Sequence, residues 1–326
     1  MSKPQFPPFN AATIFKLVDV DGKSTAAYRK IEQLAIEMRS QGWSDKPVEK
    51  LLFRDPSPTQ WQSIGFIDSL SGVDYPLDQA NSVTWCVQIA DRVLPSKVRD
   101  EHLQKRVADI EGREHRKVSK KEYRELRDEV EVDLLPRAFI RRSYCLVTFM
   151  PNSTFIIWSS SARRCDQMID QVMSLLDVVT GASPSIASYV DPEVRVGSEI
   201  LLPLVRNDEH DYVPSYSGVL FKDDAEESAR VVRMKNVSMI SDNALRLLDD
   251  GYEIRELHIT DQDETVEFTL TDSFTFKRIN VIESSDDAGD KDDRARAWEA
   301  SLWLRRKHIM TAAMALSAIA EGDDAL

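Results

Sequence analysis

The sequence predicts an α+β protein, with strand-and-helix units on either side of a helical insertion and a strand meander after them. Three observations carry this. Residues 82–91 alternate, with Val83, Trp85, Val87 and Ile89 on one face, the period of a half-buried strand. Val98, Leu103, Val107 and Ile110, then Tyr123, Leu126 and Val130, recur at helical spacing between Leu94-Pro95 and Pro136. Residues 252–259, 265–270 and 274–282 read as consecutive strands. With 326 residues, 42% of them hydrophobic, the chain is long enough for two or three domains and a sizeable core.

The elements follow in order. Residues 1–12 are polar and Pro-rich and read as a disordered arm, and 13–20 as a strand. Tyr28, Ile31, Leu34, Ala35 and Met38 mark a helix over 25–41 that stops at Gly42. Short strands and turns fill 43–80, with strand candidates at 49–53 and 63–67. Ser96 is positioned to cap one helix, which Gly112 weakens, and Ser119-Lys-Lys-Glu122 is a capping-box pattern opening a second over about 120–133. Strands at 140–149 and 153–159 flank the turn 150–153. A helix over 162–178 turns Met168, Ile169, Val172, Leu175 and Leu176 inward. Beyond 181 the pattern gives strands near 194–203 and 217–221, a short helix near 241–249 and the meander. Residues 283–293 hold six acids and one lysine, a solvated linker before a final helix at about 294–320 that carries Trp298, Leu302, Ile309, Ala313 and Leu316.

Composition excludes several functions. No two of the 11 glycines are closer than seven residues, which removes every GxG dinucleotide fingerprint, the GxSxG elbow and the GxxxxGK phosphate loop. The five histidines are too dispersed for HExxH, and Cys86, Cys145 and Cys165 form no CxxC pair. Asp19 and Asp21 beside Gly22 faintly resemble a calcium loop, but Lys30 stands where its bidentate glutamate belongs. No metal, cofactor or catalytic set is expected, and the chain reads as a non-enzyme. The polar N-terminus and the odd, sparse cysteines fit a cytoplasmic protein with free thiols. The longest weakly polar run, 309–320, falls short of the ~20 residues of a membrane span.

Charge gives the main functional signal. The chain carries 42 Lys+Arg against 55 Asp+Glu, a net of −13, so its surface as a whole repels nucleic acid. Residues 92–142 depart from this with 15 Lys+Arg against 11 Asp+Glu, a net of +4 that leaves −17 for the rest. Arg113, Arg116, Lys117, Lys120, Lys121 and Arg124 cluster at the break between the two helices. They could neutralise phosphates in a sequence-independent, salt-sensitive way; a solvated hairpin laced with ion pairs is the structural alternative. Phe139, after Pro136, could pack in the core or plug a pocket on a partner.

Leu94-Pro95-Ser96, Arg116-Lys117, 126–130 and Leu134-Leu135-Pro136-Arg137-Ala138-Phe139 stand in an order and spacing similar to the bacterial recombination-associated RdgC family. Residues 159–164 resemble that family's serine–alanine–lysine–lysine helix start, 231–236 its valine-rich strand and basic turn, and 277–279 its lysine-arginine-leucine strand. The resemblance implies a horseshoe-shaped monomer with central, base and tip parts. Two copies would close into a ring-shaped homodimer around duplex DNA without sequence preference, restraining RecA-type recombinases at the nucleoid. Carried over, 13–91 and 138–180 form the centre, 92–137 and 294–326 the helical base, and 181–282 the β-rich tip. Arg113, Arg116, Lys117, Lys120 and Lys121, with Arg233, Lys235 and Asn236 at the tip, become DNA contacts, the last standing where the family has glutamine. Phe139, Trp298 and Trp303 become dimer contacts. The alternative is a protein-interaction module that inhibits a recombinase directly and holds little DNA.

Overall fold

A computed structural model describes residues 6–18, 24–43, 47–181, 184–206, 210–222, 229–282 and 291–322. The fold is α+β and rests on one large antiparallel sheet. Strand β1 (Ala11–Val18) leads to helix α1 (Ser24–Gln41), a 3₁₀ turn at Pro47–Leu51 and strand β2 (Gln62–Ile67). Short strands β3 (Ser69–Leu70), β4 (Val73–Asp74) and β5 (Leu77–Asp78) precede the long β6 (Val83–Val93). The helical hairpin of α2 (Ser96–Glu114) and α3 (Lys120–Leu134) returns the chain to β7 (Phe139–Phe149) and β8 (Thr154–Ile157). Helix α4 (Ala162–Thr180), β9 (Ser185–Ser188), a π-helical turn (Val196–Leu201) and α5 (Leu202–Arg206) follow. The last third holds β10 (Tyr212–Lys222), β11 (Arg230–Lys235), α6 (Asp242–Asp249), β12 (Glu253–Asp261), β13 (Val266–Thr271), β14 (Thr275–Val281) and α7 (Lys291–Glu321).

The sheet runs β11-β10-β12-β13-β14-β1-β8-β7-β6-β2, with β5 against β6 and β9 against β1. Alternation along the strands sends apolar side chains to both faces, so two cores form. On one face α1 and α4 cover β1, β6, β7 and β8 through Ile31, Ala35, Met168, Val172 and Leu175, against Trp85, Val87, Val147 and Phe155. On the other, α7, α5, α6 and the π-helical turn cover Ile14, Leu146, Leu257, Phe268 and Phe276. The hairpin keeps a small core of its own, Leu103, Leu126 and Val130, separate from the one α7 joins. On the face that α1 and α4 cover further along the sheet, the outer strands β10 to β14 present Arg233, Lys235, Glu256, Thr269 and Lys277 in register.

Several expectations need correction, Ser96 among them: it is the first residue of α2, with Pro95 in the cap position and no side-chain cap. Residues 49–53 and 194–203 are not strands: the first holds a 3₁₀ turn and the second the π-helical turn. Val196, Ile200, Leu201, Leu204 and Val205 are all buried, a helical recurrence masked locally by the Val194–Val196 alternation. Gly197 allows the turn to lie on β12, because a Cβ there would stand 2.6 Å from the Ile254 carbonyl oxygen. Residues 6–12, expected within a disordered arm, are placed: Phe6 stacks on Trp298 at 5.5 Å, Phe9 packs on Trp158 and Trp298, and β1 begins at Ala11. Residues 1–5 of that arm, and 283–290 of the expected acidic linker, lie outside the described residues; α7 begins at Lys291, inside the linker's expected span.

Trp298 therefore packs in the protomer's own core. It is 8% exposed, and its indole N–H donates to the Pro7 carbonyl oxygen at 3.3 Å. Trp298→Ala is expected to lower unfolding stability by about 3 kcal/mol, the cost of a large aromatic cavity, measured by urea denaturation. A loss confined to dimer mass, with protomer stability intact, contradicts this placement.

Candidate nucleic-acid interface

The hairpin turn is built from short-range chemistry. His115 closes α2 with left-handed backbone (φ 53°). Ser119 caps α3 in a reciprocal box: its hydroxyl accepts from the Glu122 N–H, and the Glu122 carboxylate accepts from the Ser119 N–H. Glu122 also takes both terminal nitrogens of Arg116 at 2.7 Å, and Glu114 adds a contact at 2.6 Å. That pairing holds the Glu122 carboxyl below the usual carboxylate range.

Arg116 is thus the hairpin's internal brace, largely spent on two carboxylates. Arg113 donates to the Asp109 carbonyl oxygen, and Lys121 lies 3.8 Å from Glu125. Lys117, Lys120 and Arg124 are exposed and have no carboxylate partner among the described residues. Lys120 and Arg124 border a shallow hollow with the half-exposed Tyr123. Of the predicted cluster, the structure leaves these three cations free.

The second site lies across the outer strands. A cleft of about 580 Å³ is lined by Arg233 and Lys235 from β11, Ser217 and Gly218 from β10, Glu256 and Thr269 from the middle strands, and Lys277 and Arg278 from β14. Lys277 is held by Glu256 at 2.9 Å, whereas Arg233, Lys235 and Arg278 have no carboxylate partner among the described residues. Asn236 ends β11 with left-handed backbone (φ 55°), a conformation that asparagine's short side chain tolerates better than glutamine's. It is exposed just beyond the residues that line the cleft.

Arg278 is marked by the sequence only within the 277–279 strand motif and not as a DNA contact. It occupies a bulge: between the pairs Glu267↔Asn280 and Thr269↔Lys277, β14 spends one residue more than β13. Its φ of 54° is left-handed, unusual for arginine. A second cation beside Lys277 is, by periodicity, indistinguishable from a solvated strand face.

Arg92 was also counted only as charge. Its guanidinium donates to the carbonyl oxygens of Leu135, Pro136, Pro56 and Ser57 at 3.1–3.4 Å, pinning the hairpin's exit to the sheet. Directly beyond this clamp, Phe139 opens β7 opposite Val93 and is 77% exposed. Trp303, on α7, borders a groove of about 540 Å³ with Met150, Met310 and Met314.

Burial raises the thiols of Cys86, Cys145 and Cys165, with Cys145 pushed up to about 12. Among the described residues no group of three or more His, Cys, Asp or Glu is arranged to hold a metal ion. Asp19, Asp21 and the acids of 283–290 lie outside those residues. No described helix is long and apolar enough to cross a membrane.

Comparison with known proteins settles the family. The family described as "Putative exonuclease, RdgC" matches residues 23–322. The chain belongs to the RdgC family. The Recombination-associated protein RdgC of Serratia proteamaculans is 26% identical over 301 residues, covering 88% of this chain and 93% of that protein. The Shewanella sediminis protein of the same name is 27% identical over 288 residues, 84% of this chain and 89% of that one. That of Shewanella oneidensis is 31% identical over 223 residues, 65% of this chain and 68% of its own length. RdgC membership thus rests on most of the chain, hairpin and cleft included, and supports a recombination-associated protein.

Two substitutions test the local construction. Ser119→Ala removes the α3 cap and is expected to cost about 1 kcal/mol in thermal or urea unfolding. Arg278→Gly is expected to stabilise the fold by about 1 kcal/mol by relieving the left-handed backbone; a destabilisation of that size contradicts the bulge as a strained position.

Proposed function

We propose that this RdgC-family chain is a non-enzymatic, duplex-DNA-binding protein. In this reading two horseshoe-shaped protomers close into a ring that encloses DNA without sequence preference and restrains RecA-type recombination at the nucleoid. The observation that carries the reading is electrostatic. In a chain of net charge −13, cations without carboxylate partners among the described residues collect at the hairpin turn (Lys117, Lys120, Arg124) and at the cleft (Arg233, Lys235, Arg278). Phosphate is the ligand such exposed, unpaired cations suit, and it carries no base information.

The apolar surface supports self-association. Phe139, 77% exposed on a strand end anchored by Arg92, can seat in a pocket of a second copy, and the groove beside Trp303 adds further apolar surface. The hairpin 92–137 and the final helix would then supply the base contact, 13–91 with 138–180 the centre, and 181–282 the tip.

Gel-shift or anisotropy titrations of a non-specific duplex over a salt series test the reading. The wild type is expected to lose affinity steeply with salt, and Lys117→Ala/Lys120→Ala/Arg124→Ala to flatten the log–log slope by about 3. Arg116→Ala should act more weakly on the slope, since that cation is already neutralised by Glu114 and Glu122. Phe139→Ala should shift the mass in sedimentation from dimer to monomer. A wild-type monomer with no duplex affinity overturns the proposal. Magnesium-dependent loss of a labelled duplex overturns its non-enzymatic part.

A further inference from the structure

The helical hairpin is fastened to the sheet at its root alone. Its buried residues Leu103, Leu126 and Val130, with Val107 and Ile110, pack on one another and join neither sheet core. The ion pairs of its helices are internal as well: Arg99 and Arg127 meet Glu131, and Arg106 meets Glu129 and Asp133. Among the described residues, no hydrogen bond or ion pair links 96–134 to the chain outside 92–137.

The root itself is narrow. Strands β6 and β7 stay paired as far as Val93↔Phe139. Beyond that pair the chain enters α2 through Leu94-Pro95 and leaves α3 through Leu135–Ala138. Pro95 and Pro136 have no N–H with which to extend the ladder. Arg92 spans this root. One terminal nitrogen donates to the Leu135 and Pro136 carbonyl oxygens at 3.1 and 3.3 Å, on the hairpin's exit. The other donates to the Pro56 and Ser57 carbonyl oxygens at 3.2 and 3.4 Å, in the loop before β2. That loop is tied in turn to β7 by the Arg142–Asp55 pair at 2.7 Å.

We infer that the hairpin is a hinged arm and that Arg92 is the positioning residue that latches it. The latch fixes where the turn cations Lys117, Lys120 and Arg124 stand relative to the sheet; this consequence for binding rests on the duplex reading above. The lever is long. The 19 residues of α2 span about 28 Å, so a swing of about 20° at the root carries the turn roughly 10 Å. The fork matters as much as the charge. Two pairs of carbonyls on separate segments suit a planar guanidinium, whereas an ammonium is a point donor.

Distances between spin labels in the full chain test the hinge. Cys86, Cys145 and Cys165 are buried, so labels go to introduced surface cysteines. Lys121→Cys/Asp170→Cys reads the hairpin turn against α4, and Lys97→Cys/Lys121→Cys reads within the hairpin; all three positions are exposed. Excess unlabelled protein restricts the signal to distances within one chain. With Arg92 intact both distributions are expected to be narrow. In Arg92→Gln the Lys121–Asp170 distribution should broaden toward the roughly 10 Å excursion, while the Lys97–Lys121 one stays unchanged. Arg92→Lys should broaden likewise, and it serves where glutamine impairs folding. An unchanged Lys121–Asp170 distribution in both variants, or full restoration by lysine, overturns the latch. Broadening of both label pairs shows an unfolding hairpin and overturns the hinge.

Anisotropy titrations of a non-specific duplex over salt, in the unlabelled chain, read the consequence. Arg92→Gln is expected to bind several-fold more weakly at an unchanged log–log slope, because the same cations remain but the competent orientation is only a fraction of the population. A slope flatter by about 1 shows Arg92 itself on a phosphate and overturns its positioning role. Unchanged affinity overturns that role too. Absence of duplex binding by the wild type overturns the proposed function and the latch's part in it, while the label distances still decide the hinge.

Discussion

The pairing of β1 is the constraint on which the rest of the structure depends. One edge of this strand is bound to β8 from Thr13 to Lys16, while the other takes β14 at Ala11–Thr13 and β9 at Phe15–Val18. Without it the sheet divides into one block ending at β8 and another ending at β14. The residues just before it extend the same role, because Phe6 and Phe9 cover Trp298 and so fasten α7 to the sheet. An N-terminal segment thus holds together parts of the chain more than 260 residues away in sequence (Thr13 pairs with Thr275). Such pairings carry a loop-closure entropy that grows only slowly with separation, so the buried apolar contacts of both cores can offset it.

The sheet also determines where charge can act. Helices α1 and α4 occupy one face over β1, β6, β7 and β8, and the outer strands on that face are left with polar and basic side chains. In the hairpin the same selection is made by pairing. Arg99, Arg106 and Arg127 bond to Glu131, Glu129 and Asp133, and Arg116 bonds to Glu122. Exposed pairs of this kind contribute little stability, but they do remove cations from the pool open to a ligand. The regional net of +4 therefore does not say which of the hairpin's cations are open to a ligand, and says nothing of the cleft's.

Much of the architecture was legible because its signals are local. The alternation in β6, the apolar spacing of α4 and the Ser119–Glu122 box each require a few neighbouring residues, and each element stands within two or three residues of its expected place. The errors arose where the decision was not local. Val194–Val196 alternates like a strand, yet the segment folds as a π-helical turn because Ile200, Leu201 and Leu204 bury against the sheet and Gly197 admits the Ile254 carbonyl. Phe6 and Phe9 lie in a Pro-rich stretch whose partner, Trp298, is nearly 300 residues away.

For the site, the sequence by itself determined the family, the α+β class and the identities of the cations, since residue type and collinear motifs are properties of the chain. It also determined that any nucleic-acid surface must be confined, because the global charge is −13. Only the tertiary structure decided which cations are available. It paired Arg116 and Arg92 within the protomer, buried Trp298, left Phe139 exposed, and brought Arg278 into the same cleft as Arg233 and Lys235 from a position more than 40 residues along the chain. The physical reason is that charge belongs to a residue, whereas freedom from a counter-charge and a shared face belong to an arrangement of strands.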